Sequence, residues 1–422
     1  MPFQRSAVSG QSQLSPGTAH GVPYQIALTV LLSMNFGFVL FDRNASGFLM
    51  PFIRPELGMT NAQVGMLSGA LSLTWSIAAF SVGVLSDWTG SRKGLLILST
   101  LAFSVCSFAS GVVQTFTMLL CTRLLMGAAE GGIMPLSQSL IASDVQPRHR
   151  GLAMGVSQGF FSSLMGSFVA PVMLVWFAQK FGWRPAFFLA GAPGFLMALL
   201  LAWVIRPPQA PARADDTRGF TAAGFRTALA ERNVVLCAIL SVLLVSYLVL
   251  CWSFMPLFLT RVRGYDPSTM SWLMGSLGIS ATIASFVIPA LSDRIGRRGV
   301  MIAMPLIAIL VPLAALYYDG AVAVMAALFV VGWLVTGVFP LFMSTVPSES
   351  VAPENMASAL GICMGTGELI GGVLSPYIAG RVADNVGLQA PVWIMFGLAL
   401  AGCLVALGIR ETAPRVMTTA AG

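Results

Sequence analysis

LSDWTGSR at residues 85–92 returns 206 residues later as LSDRIGRR at residues 291–298, so Asp87 maps onto Asp293 and Gly90 onto Gly296. The same offset carries Pro147 to Pro353, Gly155 to Gly361, Gly159 to Gly365 and Gly166 to Gly372. Repeated matches at one constant offset, in loops and in apolar stretches alike, mark a chain built from two copies of one unit. Between the copies lies the longest polar interruption, residues 206–232, with Pro207, Pro208, Pro211 and several charges, which is a linker composition. The expected units are a tail at 1–22, a bundle at 23–205, the linker at 206–232, a second bundle at 233–410 and a tail at 411–422.

Composition says what each copy is made of. Of 422 residues 56% are hydrophobic and 9% charged, with mean hydropathy +0.83. A soluble domain carries about a quarter charged residues. Apolar runs of about 20 residues, enough to cross a bilayer at ~1.5 Å per residue, cover nearly the whole chain. They predict twelve helices, at 24–48, 62–87, 94–113, 116–143, 150–177, 184–205, 233–259, 269–293, 300–318, 321–347, 357–380 and 389–409. The expected fold is an all-α polytopic membrane protein of two six-helix bundles. Two such halves in parallel repeat build one large class of secondary transporter, with substrate at the midplane between them.

The net charge of +7 would suit nucleic acid, but its placement speaks for topology instead. With both termini cytoplasmic, fifteen Arg and Lys between Arg5 and Arg415 fall on the inner side. Six fall outside: Arg54, Lys180, Arg184, Arg261, Arg263 and Arg381. That positive-inside bias orients the chain in a plasma membrane, and the excess of Arg over Lys fits a bacterial inner membrane. Residues 1–22 lack the apolar core and cleavage site of a signal peptide, so the first helix is expected to direct insertion. Six cysteines without CxxC spacing read as small buried hydrophobes, not disulfides or metal ligands. The two histidines, His20 and His149, lie outside the predicted helices. Any coupled proton must therefore ride on carboxylates. No nucleotide, metal or nucleophile motif appears, so neither an enzyme nor a cofactor is expected.

Five charges lie inside predicted helices, away from their terminal residues. Asp42 and Arg43 stand side by side near the end of the first, Arg123 and Glu130 in the fourth, and Glu368 in GTGELIGG of the eleventh. A charge at mid-bilayer costs about 2.5–3.5 kcal/mol on insertion scales, which marks such residues as functional. Arg123, Gly127 and Glu130 share one helix face, with Gly127 and Gly131 in a small-xxx-small pattern that admits a neighbouring helix. Asp42 and Arg43 point about 100° apart, so one can face a cavity while the other faces helix four. At the 206-residue offset the second half has Leu248, Val249, Phe329 and Thr336. The fold does not require charges there.

GVLSDWTGSRK at 83–93 resembles the G-x-L-x-D-R-x-G-R-[KR] loop of the major facilitator superfamily, with Trp88 at the usual basic position and Ser91 inserted before Arg92. The resemblance implies that Asp87 caps the N-terminal end of helix eleven, near Met356–Ala357, when the cytoplasmic side is shut. Around it a gate of Arg92, Asp144, Arg148 and Arg150 is expected, with Asp293 and Arg297 in the second copy. FDRNASGFLMP at 41–51 with RLLMGAAEGGIMP at 123–135 resembles the anion:cation symporter family within that superfamily. By that resemblance Asp42 and Glu130 accept protons, Arg43 holds a substrate carboxylate and Arg123 partners Glu130. The helix-one run also fits the aromatic-acid:proton symporters, which favour D-G-[FY]-D where this chain has VLFD.

A physical cycle follows from such a set. An arginine keeps its carboxylate partner ionised until a substrate carboxylate competes for the guanidinium. The released acid, now in an apolar cavity, takes a proton, and the charge-compensated carrier can turn. Glu368 is a third candidate proton site, or a partner for a donor on the substrate; alternatively it is silent, bonded to Thr366 or a backbone carbonyl. Trp75, Gln158, Phe161, Tyr247, Trp252 and Trp272 are candidate pocket residues and favour a carboxylate with an aromatic or short apolar body. The expected function is proton-coupled uptake of a small organic anion by a monomer, with substrate, protons and lipid as partners and no nucleic acid. The alternatives are a proton-driven exporter of amphipathic drugs and a sensor of an organic acid.

Overall fold

The computed structural model describes residues 21–206, 222–352 and 355–413. The two tails and most of the linker, with Arg5, His20, Pro207, Pro208, Pro211 and Arg415, lie outside the described residues. So do the side chains of Asp87, Arg148 and Gln158. Among the described residues there is no β-strand, and twelve helical spans are long and apolar enough to cross a membrane. In order they are α1 (Val22–Glu56), α2 (Asn61–Ser86), α3 (Arg92–Gly111), α4 (Phe116–Asp144), α5 (Leu152–Phe181), α6 (Trp183–Val204), α7 (Arg232–Arg261), α8 (Pro267–Ile295), α9 (Arg297–Tyr317), α10 (Val322–Ser350), α11 (Met356–Val386) and α12 (Gln389–Ala406).

The first span corrects the sequence reading. It runs on through Pro51 and Pro55 to Glu56, so Asp42 and Arg43 sit well inside it and not near its end. Polar Arg54 and Glu56 made the apolar run look shorter than the helix. Glu56 is instead fastened at the helix end, where it accepts from Trp183 Nε1 at 2.6 Å and pairs with Arg184.

Several spans are irregular near mid-length. α1 breaks at Asn44, whose Nδ2 donates to Gly166 O at 2.9 Å. α4 breaks at Gly131 and Gly132, directly after Glu130. Wider π-type turns occupy Leu164–Val169 in α5, Leu341–Thr345 in α10 and Gly367–Leu374 in α11. Such turns free backbone groups, which a membrane tolerates only where protein or a cavity receives them, and they gather at functional sites. Two of the five intramembrane charges, Arg43 and Glu130, directly precede a break, and Glu368 lies inside a widened turn.

Loops at Gly58 and Gly90 mark the two ends of the molecule, both glycines at positive φ where side chains strain. The halves share one core, in which Phe48, Ile53 and Leu174 join Phe254, Leu273 and Phe342. Near the Gly90 face the first half packs separately, through Leu28, Leu96, Phe103, Ile141 and Leu201.

Candidate functional site

Close packing of α2 on α4 builds the site. A Cβ at Gly127 would come within 2.3 Å of Leu71 O, and one at Gly131 within 2.4 Å of Trp75 O, so no other residue type lets the backbones approach this closely. The small-xxx-small reading holds, with α2 as the neighbour. That approach presents Trp75 to Arg43, whose guanidinium carbon lies 5.2 Å from the ring centroid.

Arg43 Nη1 lies 3.9 Å from Glu130 Oε2, an ion pair too long for a hydrogen bond. The Arg43 side chain keeps 21% exposure while Glu130 keeps none. Glu368 on α11 interacts electrostatically with the same guanidinium. Arg123, the partner expected for Glu130, interacts with it only at longer range than Arg43 does. Arg123 is fully buried, donates to Ser110 Oγ at 2.5 Å, lies 5.3 Å over the Phe187 ring and interacts with both Asp42 and Glu130. Asp42 is equally buried and accepts from Ser107 Oγ at 2.6 Å. So Arg43 keeps an open side while Asp42 faces α3 and α4, dividing as their 100° separation allows.

Hydrogen bonding here is incomplete. Asp42 Oδ2, Arg123 Nε and Nη1 and both Glu130 oxygens are buried without a hydrogen-bond partner. Buried polar groups are paired in the large majority of cases, and orphans concentrate where chemistry is done. A structural ion pair would be expected to close its bonds. Glu368 has no hydrogen bond among the described residues, and Thr366 Oγ1 donates to Ile362 O at 2.8 Å, so the silent bond to Thr366 is not formed.

The other expected residues divide. Trp252 is half-buried, edge-on to Phe48 of α1 at 5.7 Å and to Trp333 at 5.3 Å, so it stands where the halves meet. Phe161 is half-buried, its backbone against Gly37. Tyr247 is not a pocket residue: it is buried, donates to Ala308 O at 2.8 Å and stacks on Trp333 inside the second half. Trp272 is 56% exposed in a groove of about 260 Å³ with Val172, Trp176 and Ser268, between α5 and α8. Cys121 is exposed, against the expectation of burial, while four cysteines are buried.

Among the described residues, ion pairs of the expected gate form in the second copy. Arg297 pairs with Asp293 and, at 3.1 Å, with Glu349. Arg92 has no partner among the described residues, Asp144 accepts from Tyr24 Oη at 3.1 Å, and Arg150 Nε donates to Val145 O at 2.9 Å. No ion pair among the described residues joins Arg92, Asp144 and Arg150. Glu349 went unexpected, yet the 206-residue offset sets it beside Ser143, one position from Asp144.

Twelve spanning helices and a half-open charged site between two bundles define a polytopic membrane transporter. The chain belongs to the Major Facilitator Superfamily, whose model matches residues 32–362 and 234–421. It is similar to the probable 4-methylmuconolactone transporter of Cupriavidus pinatubonensis, at 28% identity over 85% of this chain and 86% of the relative. It is also similar to the probable sulfoacetate transporter of Cupriavidus necator, at 24% over 91% and 93%. A third relative is the quinolone resistance protein NorA of Staphylococcus aureus, at 25% over 85% and 90%. Among solved structures, a bacterial homologue of the human lysosomal transporter Spinster superposes with a TM-score of 0.72 at 21% identity, over 92% of this chain and 95% of that one. The family and these relatives are transporters, not enzymes.

Proposed function

We propose that this protein is a proton-coupled symporter that takes up a small organic anion, a carboxylate, through alternating access of two halves, 23–205 and 233–410. The observation that carries the reading is the long Arg43–Glu130 pair, open on the arginine side and sealed on the glutamate side. A substrate carboxylate reaching the open guanidinium offers two short charge-assisted bonds where Glu130 offers a loose one. Glu130 then loses its counter-charge in a buried setting, where the neutral form is favoured, and takes a proton. Asp42, beside Arg123, is the second acceptor, and Glu368 the third. Trp75 beneath Arg43 and Trp252 opposite supply apolar walls for the body of the acid. Sulfoacetate, carried by one relative, is itself an anion, which supports this cargo.

The charge bias puts the Gly90 face in the cytoplasm of a bacterial inner membrane, with both termini on that side. Arg297, Asp293 and Glu349, with Asp87, Arg92, Asp144, Arg148 and Arg150, then form the cytoplasmic gate. One charge moving through 100 mV supplies about 2.3 kcal/mol, enough for roughly fiftyfold accumulation.

NorA among the relatives favours a second reading, proton-driven export of amphipathic drugs. An exposed arginine at the site weighs against cationic cargo. Both readings meet one test, proton movement into dye-loaded proteoliposomes on adding aromatic, dicarboxylic and sugar acids. Internal acidification with one acid class, abolished by Glu130→Gln, supports symport. Silence with acids and proton efflux with lipophilic cations would replace it by the exporter.

A further inference from the structure

A helix leaves its first N–H groups without intrahelical partners, and something must satisfy them. At the start of α2 every one is accounted for. Thr60 and Gln63 form a reciprocal box, Thr60 Oγ1 accepting from Gln63 N at 3.2 Å and Gln63 Oε1 from Thr60 N at 3.0 Å. The first regular bond then runs from Val64 N to Thr60 O. Two donors remain, Asn61 N and Ala62 N. Both go to Asp384, to Oδ1 at 2.7 Å and Oδ2 at 3.0 Å.

Asp384 is no local cap. It lies 323 and 322 positions away in sequence, near the end of α11 in the other half. Along this contact a Cβ on Gly65 would come within 1.9 Å of Pro376 O, so the two backbones touch. The carboxylate also meets the positive end of the α2 dipole, which favours a negative charge. Any separation of the halves at the Gly58 face breaks both bonds and exposes two N–H groups at once.

We infer that Asp384 is a latch that holds the Gly58 face shut, and that it sets the balance between the two orientations of the carrier. α2 and α11 are antiparallel neighbours, so the N-terminus of one lies beside the C-terminus of the other. Asp384 near the end of α11 closes the Gly58 face by capping α2. The inference rests on the two-half reading but on neither the substrate nor the proton.

The test measures opening directly, without substrate. Spin labels at Gln179→Cys and Ser268→Cys flank the groove between α5 and α8, with exposed Cys121 replaced by Ser. In Asp384→Ala the long-distance population should rise about five- to thirtyfold, the range set by losing a helix cap. Asn61→Pro removes one donor from the opposite half, and proline is favoured at a helix first position, so α2 should survive. It should shift the same population in the same direction by a smaller factor. Unchanged distance distributions in both variants would make Asp384 an ordinary cap and overturn the latch. If Asp384→Ala fails to fold, Asn61→Pro alone decides. Absence of acid-driven proton uptake in wild type would sink the symporter and leave this result standing.

Discussion

The two halves meet the same position in the fold with opposite materials. Where the first half has Gly127, the 206-residue offset gives Trp333; where it has Asp42, Arg43, Arg123 and Glu130, the second has Leu248, Val249, Phe329 and Thr336. Trp333 and Phe329 are fully buried, and Trp333 packs on Tyr247 at 5.7 Å and on Trp252 at 5.3 Å. Glycine in one copy brings α2 onto α4 beside buried charges, while tryptophan in the other fills the same place with a closed aromatic core. One half carries buried charge where the other presents a closed aromatic wall.

The largest expected effect comes from erasing the exposed charge. Arg43→Ala should lower uptake about 10²–10⁴-fold, the worth of two charge-assisted bonds at ~1.5–3 kcal/mol each. Arg43→Lys should keep binding but lose bidentate geometry, ending nearer tenfold. Equal uptake by wild type and Arg43→Ala in a radiolabelled acid assay would remove Arg43 from the substrate site. Next in size is the buried pair. Arg123→Leu alone leaves Asp42 without its cation and should cost about 3–5 kcal/mol of stability. Asp42→Leu with Arg123→Leu makes this place apolar, as it is in the second half, and should melt near wild type while transporting nothing. A double variant as unstable as the single would show that the charges hold the fold together.

Much of this was legible in the sequence because it is carried by period and type. Twelve apolar runs and one constant offset suffice for the twelve-helix, two-bundle fold, and charges in apolar runs stand out whatever their partners. Pairing was less accessible. Arg123 and Glu130 share a helix face, so they read as partners, but Glu130 meets Arg43 because the α2–α4 approach and the Asn44 break decide which side chain arrives. Tyr247 looked like a pocket residue for the same reason: helical spacing gives a face, and only packing gives its neighbour. Asp384 near a loop carries no local pattern at all, since its partners are backbone N–H groups more than 320 residues away.

Gly127 offers a smaller and purely steric test of the comparison. Gly127→Ala would put a Cβ against Leu71 O, a backbone atom that cannot rotate away. The expected cost is about 1–3 kcal/mol, as for other overpacked sites, seen as a lower melting temperature in detergent. Trp75 should shift away from Arg43, so uptake should fall more than stability alone explains. A neutral Gly127→Ala would mean that the helices part easily and that the close approach does not set the site.

The smallest effect lies where each copy ties its third helix to its sixth. In the first half Lys93 Nζ donates to Ala202 O at 2.6 Å and Ile205 O at 2.5 Å. In the second, Glu411 caps the start of α9, accepting from Arg297 N at 2.8 Å and Arg298 N at 3.1 Å, with Thr412 N and Ala413 N also donating. Partial burial would raise the Glu411 carboxyl, but these four donors outweigh it and hold it below the ordinary 4.5. A carboxyl depressed on folding adds stability that is complete above its unfolded value and lost as pH falls through its folded one. Glu411→Gln should therefore melt about 1–2 °C below wild type at neutral pH, a small shift because water screens the group. That gap should close as the medium is taken below 4.5. The tie in the first half runs from an ammonium to two backbone carbonyls and involves no carboxyl, so no matching acid-dependent gap is expected there. A gap between Glu411→Gln and wild type that persists unchanged in acid would mean that glutamine's lost contacts are steric, and that the two copies are tied by the same kind of bond after all.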